Sequence, residues 1–296
     1  MSPSTPAGAA DRHPGAPLLA LDTLWLQVAG TLCNLQCSHC FISCSPVNHS
    51  HAMMTLVSLR PLLEEAASLG VKEYYLTGGE PFLNPEILPI LEAVLSQGPA
   101  TVLTNGLLLR PGTAASLRGL SEATPYSLDL RISLDGWDAA GNDPIRGEGT
   151  FDRIVSGIRN LAKEGLAPVL TVTEACGEAG SRDGRLRFLH LMRTIGLPHP
   201  RLKIMPLLRI GAETSRTRAY LQAESLRGHA LTASEAETLA CTTGRMATSR
   251  GIFTCPILIE EPAARMGRTL GEALAPVTLR HAACWTCVAE GLSCRT

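Results

Sequence analysis

The stretch Thr31-Leu32-Cys33-Asn34-Leu35-Gln36-Cys37-Ser38-His39-Cys40-Phe41 holds three cysteines in a C-x3-C-x2-C spacing. It follows the first apolar run of the chain, residues 24–28, which we predict to be a strand. Thiolates this close together on one loop can hold three corners of an iron-sulfur cube and leave the fourth iron open. The triplet therefore predicts a metal centre directly after the first strand.

Clustered cysteines also occur in structural zinc sites and in disulfide frameworks. A structural zinc site usually draws on paired C-x2-C ligands. The nearby additional candidates, His39 and Cys44, give spacings unlike the common zinc patterns. The spacing thus favours an iron-sulfur cluster.

Length, charge and cysteine content narrow the class of protein. The 296 residues suffice for one large α/β domain or for a domain with an appendage. A formal net charge of -1 gives no general attraction to phosphate backbones, which argues against a nucleic-acid partner. No segment approaches the roughly 20 apolar residues of a membrane span. Ten cysteines without a secretory signal favour metal binding, so we expect a protein of the reducing cytoplasm.

Short strand-like runs alternate with helical patterns from residue 21 onward. Strands are predicted at residues 24–28, 74–77, 101–104, 129–134, 168–172 and 201–208. The clearest helix begins at Phe151, where apolar residues recur at helical intervals. The alternation predicts a parallel sheet covered by helices, but periodicity does not decide between an open sheet and a barrel.

We expect four parts along the chain. Residues 1–20, rich in Pro, Ala and Gly, suggest a disordered leader, and residues 21–211 hold the β/α units. Residues 212–240 are polar with helical propensity and suggest a bridge. Residues 241–296 carry five cysteines without a convincing β/α unit and suggest a separate small module.

Three further motifs follow predicted strands. In Leu76-Thr77-Gly78-Gly79-Glu80-Pro81, glycines allow a sharp turn and close approach to a ligand, and Glu80 is placed to accept from an ammonium group. In Ser133-Leu134-Asp135-Gly136, Ser133 can donate to a ligand, and Arg146 downstream offers a planar fork for a carboxylate. Each motif has a plainer alternative, a tight turn or a surface polar position. Thr104-Asn105-Gly106 is equally consistent with a turn and with a pocket lining.

Together these motifs resemble the radical S-adenosylmethionine (radical SAM) superfamily. The resemblance implies a partial (β/α)6 barrel with its site at the C-terminal ends of the strands. It implies that Cys33, Cys37 and Cys40 hold a [4Fe-4S] cluster, whose open iron binds SAM and whose electron cleaves SAM to a 5'-deoxyadenosyl radical. It also implies SAM contacts from Gly78, Gly79, Glu80 and Pro81, and from Ser133 and Arg146. The segment Pro206-Leu207-Leu208-Arg209-Ile210-Gly211 is loosely similar to the one that contacts adenine in these barrels.

The C-terminal cysteines resemble the twitch and SPASM extensions of radical SAM enzymes, which bind auxiliary [4Fe-4S] clusters. Full SPASM modules carry seven cysteines and two clusters, whereas the five here suit one auxiliary cluster and hence two clusters in the chain. By analogy its ligands are Cys241, Cys255, Cys284 and Cys287, with Cys294 as an alternative for one of them. A zinc knuckle is the main competing interpretation, because C-x2-C with two distant cysteines is also a zinc pattern.

Cys44 and Cys176 lie outside these motifs. Cys176 follows the fifth predicted strand and is a candidate hydrogen-atom donor to a substrate radical, as in a few radical SAM epimerases. The plainer interpretation, which the sequence favours for both, is a small buried hydrophobic residue.

The resemblance predicts a radical SAM oxidoreductase supplied with electrons by a reductant such as flavodoxin or ferredoxin. Its first candidate substrate is a small polyol or aminoglycoside-like metabolite, which it would oxidise, epimerise or otherwise modify. The second is a ribosomal peptide, as for SPASM maturases, although residues 1–20 are too short and polar for the recognition domain that many of those carry. A pterin-type cyclisation is disfavoured, because that family's second cysteine triplet and Gly-Gly terminus are missing. A non-enzymatic iron-sulfur or zinc scaffold protein is the alternative from another class.

Overall fold

The computed structural model describes residues 12–294. The strands are β1 (Gly15–Ala16), β2 (Thr23–Leu26), β3 (Glu73–Leu76), β4 (Ala100–Thr104), β5 (Leu128–Ser133), β6 (Val169–Thr173), β7 (Arg201–Met205), β8 (Gly244–Thr248), β9 (Gly251–Phe253), β10 (Arg265–Gly267) and β11 (Val277–Thr278). The helices are α1 (Leu56–Ser68), α2 (Ile87–Leu95), α3 (Pro111–Glu122), α4 (Ala139–Arg146), α5 (Thr150–Lys163), α6 (Arg182–Thr194), α7 (Glu213–Arg216), α8 (Ala233–Thr238) and α9 (Cys284–Ala289).

The main sheet has the strand order β10-β9-β8-β2-β3-β4-β5-β6-β7. From β2 to β7 the strands pair in chain order and in parallel. The predicted α/β fold with a partial (β/α)6 barrel is therefore confirmed. Within the described residues the end strands β10 and β7 do not pair with each other, so the barrel is open.

Alternation along the strands separates the two faces of the sheet. On β2, Leu24 and Leu26 belong to the apolar core that includes the buried faces of the helices, while Trp25 faces the interior. Trp25 lies opposite Tyr75 of β3, and the two rings stack with centroids 4.3 Å apart. The stripe predicted from Phe151 onward lies on α5, where it buries four residues in the same core: Ile154, Val155, Ile158 and Leu161.

The C-terminal region, which the sequence suggests is a separate small module without a convincing β/α unit, extends the main sheet by three strands. β8 pairs in parallel with β2, β9 pairs antiparallel with β8, and β10 antiparallel with β9. Met246 and Phe253 pack in one apolar cluster with Trp25 and Tyr75 of the barrel interior. Without β8, the edge of β2 would carry unpaired backbone N–H and C=O groups. Pairing with β8 satisfies these groups, which explains why the C-terminal region joins the sheet.

The expected disordered leader over residues 1–20 is not observed for residues 12–20, and residues 1–11 lie outside the described part of the chain. β1 pairs with β11, and the Leu19 N–H donates to the Thr242 carbonyl at 2.7 Å. The bridge at residues 212–240 is only partly helical, since α7 and α8 are short and joined by irregular chain. None of the helices in residues 12–294 is long and apolar enough to cross a bilayer.

Candidate active site

The cysteine triplet opens onto a cavity at the C-terminal ends of the barrel strands. Cys33 is buried, and Cys37 and Cys40 are half-buried. All three line a cavity of about 210 Å³. Its wall also contains most of the residues that the sequence predicted to bind a ligand: Gly78, Gly79, Ser133 and Arg146. The structure therefore brings the triplet and these residues to one place.

Backbone and side-chain donors surround the sulfur atoms of the triplet. The Leu35 N–H donates to Cys33 Sγ at 3.4 Å, and the Cys44 N–H to Cys40 Sγ at 3.3 Å. The Asn105 side-chain amide lies 3.7 Å from Cys33 Sγ, which assigns this turn residue to the pocket lining. Donors of this kind favour the thiolate form that binds iron. The cysteine loop thus fits a cluster ligand set.

Proton affinities in the loop differ from thiol to thiol. A hydrogen bond from the buried Cys44 thiol lowers the pKa of Cys40 and raises that of Cys44. Burial raises the pKa of Cys33 to about 12, so binding of a metal there has to release a proton. Cys44 is buried, as expected, but it also contacts the triplet.

The Gly78-Gly79-Glu80-Pro81 turn packs against the start of the cysteine loop. The Glu80 N–H donates to the Leu32 carbonyl at 3.0 Å, and a Cβ atom on Gly79 would collide with that carbonyl. Gly78 and Gly79 line the cavity, whereas Glu80 and Pro81 lie behind its wall. Only glycine permits this close approach of two backbones.

Glu80 is completely buried and accepts hydrogen bonds from neighbouring turns. Its carboxylate accepts from Thr104 Oγ1 and from the Asn105 N–H at 2.8 Å each, and from the Phe82 N–H at 3.0 Å. Burial nevertheless raises the pKa of Glu80 to about 7. Glu80 therefore joins the turns after β3 and β4 behind the cavity wall.

Asp135 is a site residue to which sequence reasoning gave no role. Its buried Oδ2 lies 2.7 Å from His39 Nε2 and 2.8 Å from Arg146 Nε, and its Oδ1 accepts from the Thr173 N–H at 3.1 Å. Although burial opposes ionisation, Arg146 and His39 hold the pKa of this carboxyl well below its usual range. The one available signal was its place directly after a strand, in the same tetrapeptide as Ser133.

Arg131 of β5 is a second site residue that the sequence motifs did not identify. It is buried in the cavity wall, where its guanidinium donates to the Cys294 carbonyl at 2.8 Å and lies 3.4 Å from Thr171 Oγ1. An arginine at an inward-facing position of a buried strand is the signal that could have identified it. Arg131 links the barrel interior to the C-terminal end of the described chain.

The five C-terminal cysteines line a second cavity of about 430 Å³: Cys241, Cys255, Cys284, Cys287 and Cys294. Burial raises the pKa of Cys241, Cys255 and Cys284 to about 12. Cys294 lines both cavities, together with Ile257 and Leu292. Within residues 12–294 no three His, Cys, Asp or Glu side chains lie close enough to share a single metal ion. All five cysteines therefore line one cavity, and their positions do not distinguish a set of four ligands from the fifth.

Cys176 and the segment from Pro206 to Gly211 are the remaining residues that the sequence singled out. Cys176 ends a short 3-10 helix, Glu174–Cys176, which follows β6; its role as hydrogen donor stays a prediction. Pro206, Leu207 and Leu208 line the first cavity. Gly211 packs against the cysteine loop, where the Ala212 N–H donates to the Cys40 carbonyl at 3.0 Å.

The family model of the radical SAM superfamily matches residues 28–177, which is about half of the chain. The chain belongs to the radical SAM superfamily. The match covers the cysteine triplet, the Gly78-to-Pro81 turn, Ser133 and Arg146, and it confirms the family predicted from these motifs. Membership implies SAM and a [4Fe-4S] cluster, which the donor-lined thiols at the first cavity fit.

Curated relatives match over part of their length. The chain is 33% identical over 138 residues to mycofactocin maturase MftC of Mycobacterium tuberculosis (strain CDC 1551 / Oshkosh), covering 46% of this chain and 34% of the relative. It is 34% identical over 150 residues to GTP 3',8-cyclase of Synechococcus sp. (strain CC9902), covering 45% of this chain and 40% of the relative. The match thus spans well under half of either relative.

Solved structures share the fold of this radical SAM chain. Streptococcus suis SuiB bound to S-adenosylmethionine superposes with a TM-score of 0.63 at 16% identity, over 85% of this chain and 63% of SuiB. Native anSMEcpe with bound AdoMet gives a TM-score of 0.62 at 15% identity, over 85% of this chain and 79% of that protein. At this identity the likeness shows the fold alone.

Proposed function

We propose that this radical SAM enzyme is an oxidoreductase that abstracts hydrogen from its substrate. One observation carries the proposal: the triplet thiols, with donors at Cys33 and Cys40, share a cavity wall with Gly78, Gly79 and Ser133. When bound, the cluster and SAM supply a 5'-deoxyadenosyl radical.

The residues of the chain have separate tasks in this proposal. Gly78 and Gly79 present backbone to the amino group of SAM, and Ser133 and Arg146 face its carboxylate or ribose. The cavity position of these four residues supports the assignment. Glu80 acts from behind the wall, since it accepts from the Asn105 N–H and so holds the turn after β4 in place, and Pro81 follows it as the first residue of a 3-10 helix.

The enzymatic proposal is tested by anaerobic reconstitution with iron, sulfide, SAM and a reductant. Native protein is expected to release 5'-deoxyadenosine, and Cys37→Ala to release none because its cluster lacks a ligand. Omission of the reductant is the control. If native, iron-loaded protein made no 5'-deoxyadenosine, the non-enzymatic scaffold interpretation would replace this one.

An auxiliary cluster is proposed for the second cavity, with Cys241, Cys255, Cys284 and Cys287 as ligands. The shared cavity supports it. Two four-iron clusters correspond to about eight irons per chain, falling by about four when Cys284 and Cys287 both become Ala. Zinc at this site, or an unchanged iron count, contradicts the proposal. Cys294→Ala should keep the full iron count, and a loss of about four irons would make Cys294 a ligand.

The substrate is proposed to be a small metabolite, which the enzyme oxidises or epimerises, with flavodoxin or ferredoxin as reductant. Cys176 remains the candidate hydrogen donor. In solvent deuterium, Cys176→Ala should abolish label incorporation into product while 5'-deoxyadenosine still forms. Full incorporation in this variant removes Cys176 from the mechanism.

A ribosomal peptide is the second candidate substrate, and the relatives favour it. MftC is a maturase, and SuiB has been seen bound to the precursor peptide SuiA. The genes beside this one discriminate between the two substrates. A precursor-peptide gene supports maturation, whereas genes for sugar or aminocyclitol enzymes support the metabolite.

A further inference from the structure

The Asp135 carboxylate connects three parts of the chain around the first cavity. Through Oδ2 it meets His39, which lies between Cys37 and Cys40, and Arg146, which ends α4. Through Oδ1 it accepts from Thr173 at the end of β6. The side chain of Asp135 is fully buried, so solvent cannot replace any of these partners. The group is thus built into the wall and is not a surface charge.

Arg146 extends from this carboxylate toward the triplet. Its Nε lies 2.8 Å from Asp135, and its Nη1 lies 4.0 Å from Cys37 Sγ. Because a guanidinium is planar and rigid, holding Nε at Asp135 also sets where the two terminal nitrogens point. Arg146 also lines the first cavity, so a contact that orients its guanidinium affects the wall of that cavity.

The cysteine loop is tied to the same elements by a second bond. The Ser38 N–H donates to the Ile145 carbonyl at 2.9 Å, directly beside Arg146. Ser38 and His39 therefore hold the part of the loop between Cys37 and Cys40 against α4 and Asp135. Displacing Asp135 would release both His39 and Arg146 from their common partner.

We propose that Asp135 is a positioning residue that sets SAM affinity and the environment of Cys37 by orienting Arg146. This inference rests on the proposed function, because it concerns the same cluster and cofactor. It assigns no contact between Asp135 and SAM. The effect of Asp135 passes through Arg146 and the cysteine loop.

The test is equilibrium binding of SAM to anaerobically reconstituted protein, with the EPR spectrum of the reduced cluster as second readout. Asp135→Asn keeps the shape but removes the charge, and should weaken SAM binding by about tenfold to a hundredfold and change the EPR spectrum. Asp138→Asn is the matched control: Asp138 is the exposed N-cap of α4, and Asn caps equally well. The control should match native protein in both readouts.

A second pair of variants tests whether Asp135 acts through Arg146. Arg146→Gln should weaken SAM binding, and Arg146→Gln with Asp135→Asn should differ from it by less than about twofold, because the partner is already gone. This double variant also removes both charges of the buried pair, so it remains informative if Asp135→Asn alone does not fold.

Two outcomes overturn the inference. One is native SAM affinity and an unchanged EPR spectrum in iron-loaded Asp135→Asn, which leaves only a structural role for Asp135. The other is a further large loss of affinity in the double variant, which means that Asp135 acts independently of Arg146. Failure of the proposed function is separate, since it shows as native, iron-loaded protein that makes no 5'-deoxyadenosine.

Discussion

Gly79 is the residue at which the turn after β3 touches the cysteine loop. A Cβ atom there would collide with the Leu32 carbonyl, a backbone group that cannot move without displacing Cys33. We expect Gly79→Ala to lower the stability by about 1–3 kcal/mol or more and to reduce iron retention. Thermal unfolding and iron analysis measure both effects.

The control for this substitution is Gly119→Ala in α3, where an added Cβ meets nothing within 4 Å. There alanine should be neutral or stabilising, as is usual inside a helix. Equal behaviour of the two variants would mean that the contact at Gly79 has no energetic importance.

Glu80 gives the site a pH dependence that can be measured in metal-free protein. Its folded-state pKa of about 7 lies above the ordinary 4.5, so the folded protein holds this proton more tightly than the unfolded chain. The resulting stabilisation is present below the unfolded pKa and is lost as pH rises through about 7.

We therefore expect the stability of native protein relative to Glu80→Gln to fall by up to about 3 kcal/mol between about pH 5 and about pH 8. Only the difference between the two pH profiles is informative, because Gln also changes a hydrogen bond at every pH. Denaturant unfolding provides the profiles. Parallel curves for the two proteins would show that Glu80 does not titrate differently on folding.

At the scale of elements, β8 decides how the C-terminal region relates to the barrel. It covers the edge of β2 and, with β9, adds Met246 and Phe253 to the cluster around Trp25. Removing residues 244–296 would expose this edge and uncover that cluster. We expect the shortened chain to be insoluble or to lack a cooperative unfolding transition, with the full chain as control. A soluble fragment with cooperative unfolding would show that the barrel folds without the tail.

Helix α4 is an element that the sequence does not predict. Its residues include Gly141 and Pro144, so neither propensity nor periodicity predicts it. It is held by tertiary contacts and by the Asp138 cap, whose side chain accepts from the Gly141 N–H. By contrast, α5 was predicted because its apolar stripe repeats over several turns.

At the scale of the whole molecule, the C-terminal segment joins the two cavities. Cys294 lines both of them, and the Arg131 guanidinium on β5 donates a hydrogen bond to the Cys294 carbonyl at 2.8 Å. We expect Arg131→Gln to make Cys294 of metal-free protein react about tenfold faster with a thiol reagent, because a hydrogen bond from a charged group is lost. Mass spectrometry of the labelled peptide gives the rate.

Arg201→Gln is the matched control for Arg131. Arg201 pairs with Asp129 at 2.6 Å at the exposed start of β7 and lines neither of the two cavities that Cys294 joins. This control should leave the labelling rate unchanged. An unchanged rate in Arg131→Gln as well would mean that other contacts suffice to hold Cys294.

The sequence by itself determined the superfamily, the order of the β/α units and part of the first cavity, namely the cysteine triplet, Gly78, Gly79, Ser133 and Arg146. These follow from short contiguous motifs, such as the cysteine triplet and the Gly-Gly turn, whose chemistry depends on spacing within one loop. Tertiary structure alone decided that β8 completes the edge of β2, that Asp135 joins His39 to Arg146, and that Cys294 lies between two cavities. Each of these contacts joins residues far apart in the chain, and local pattern carries no information on which distant groups folding brings together.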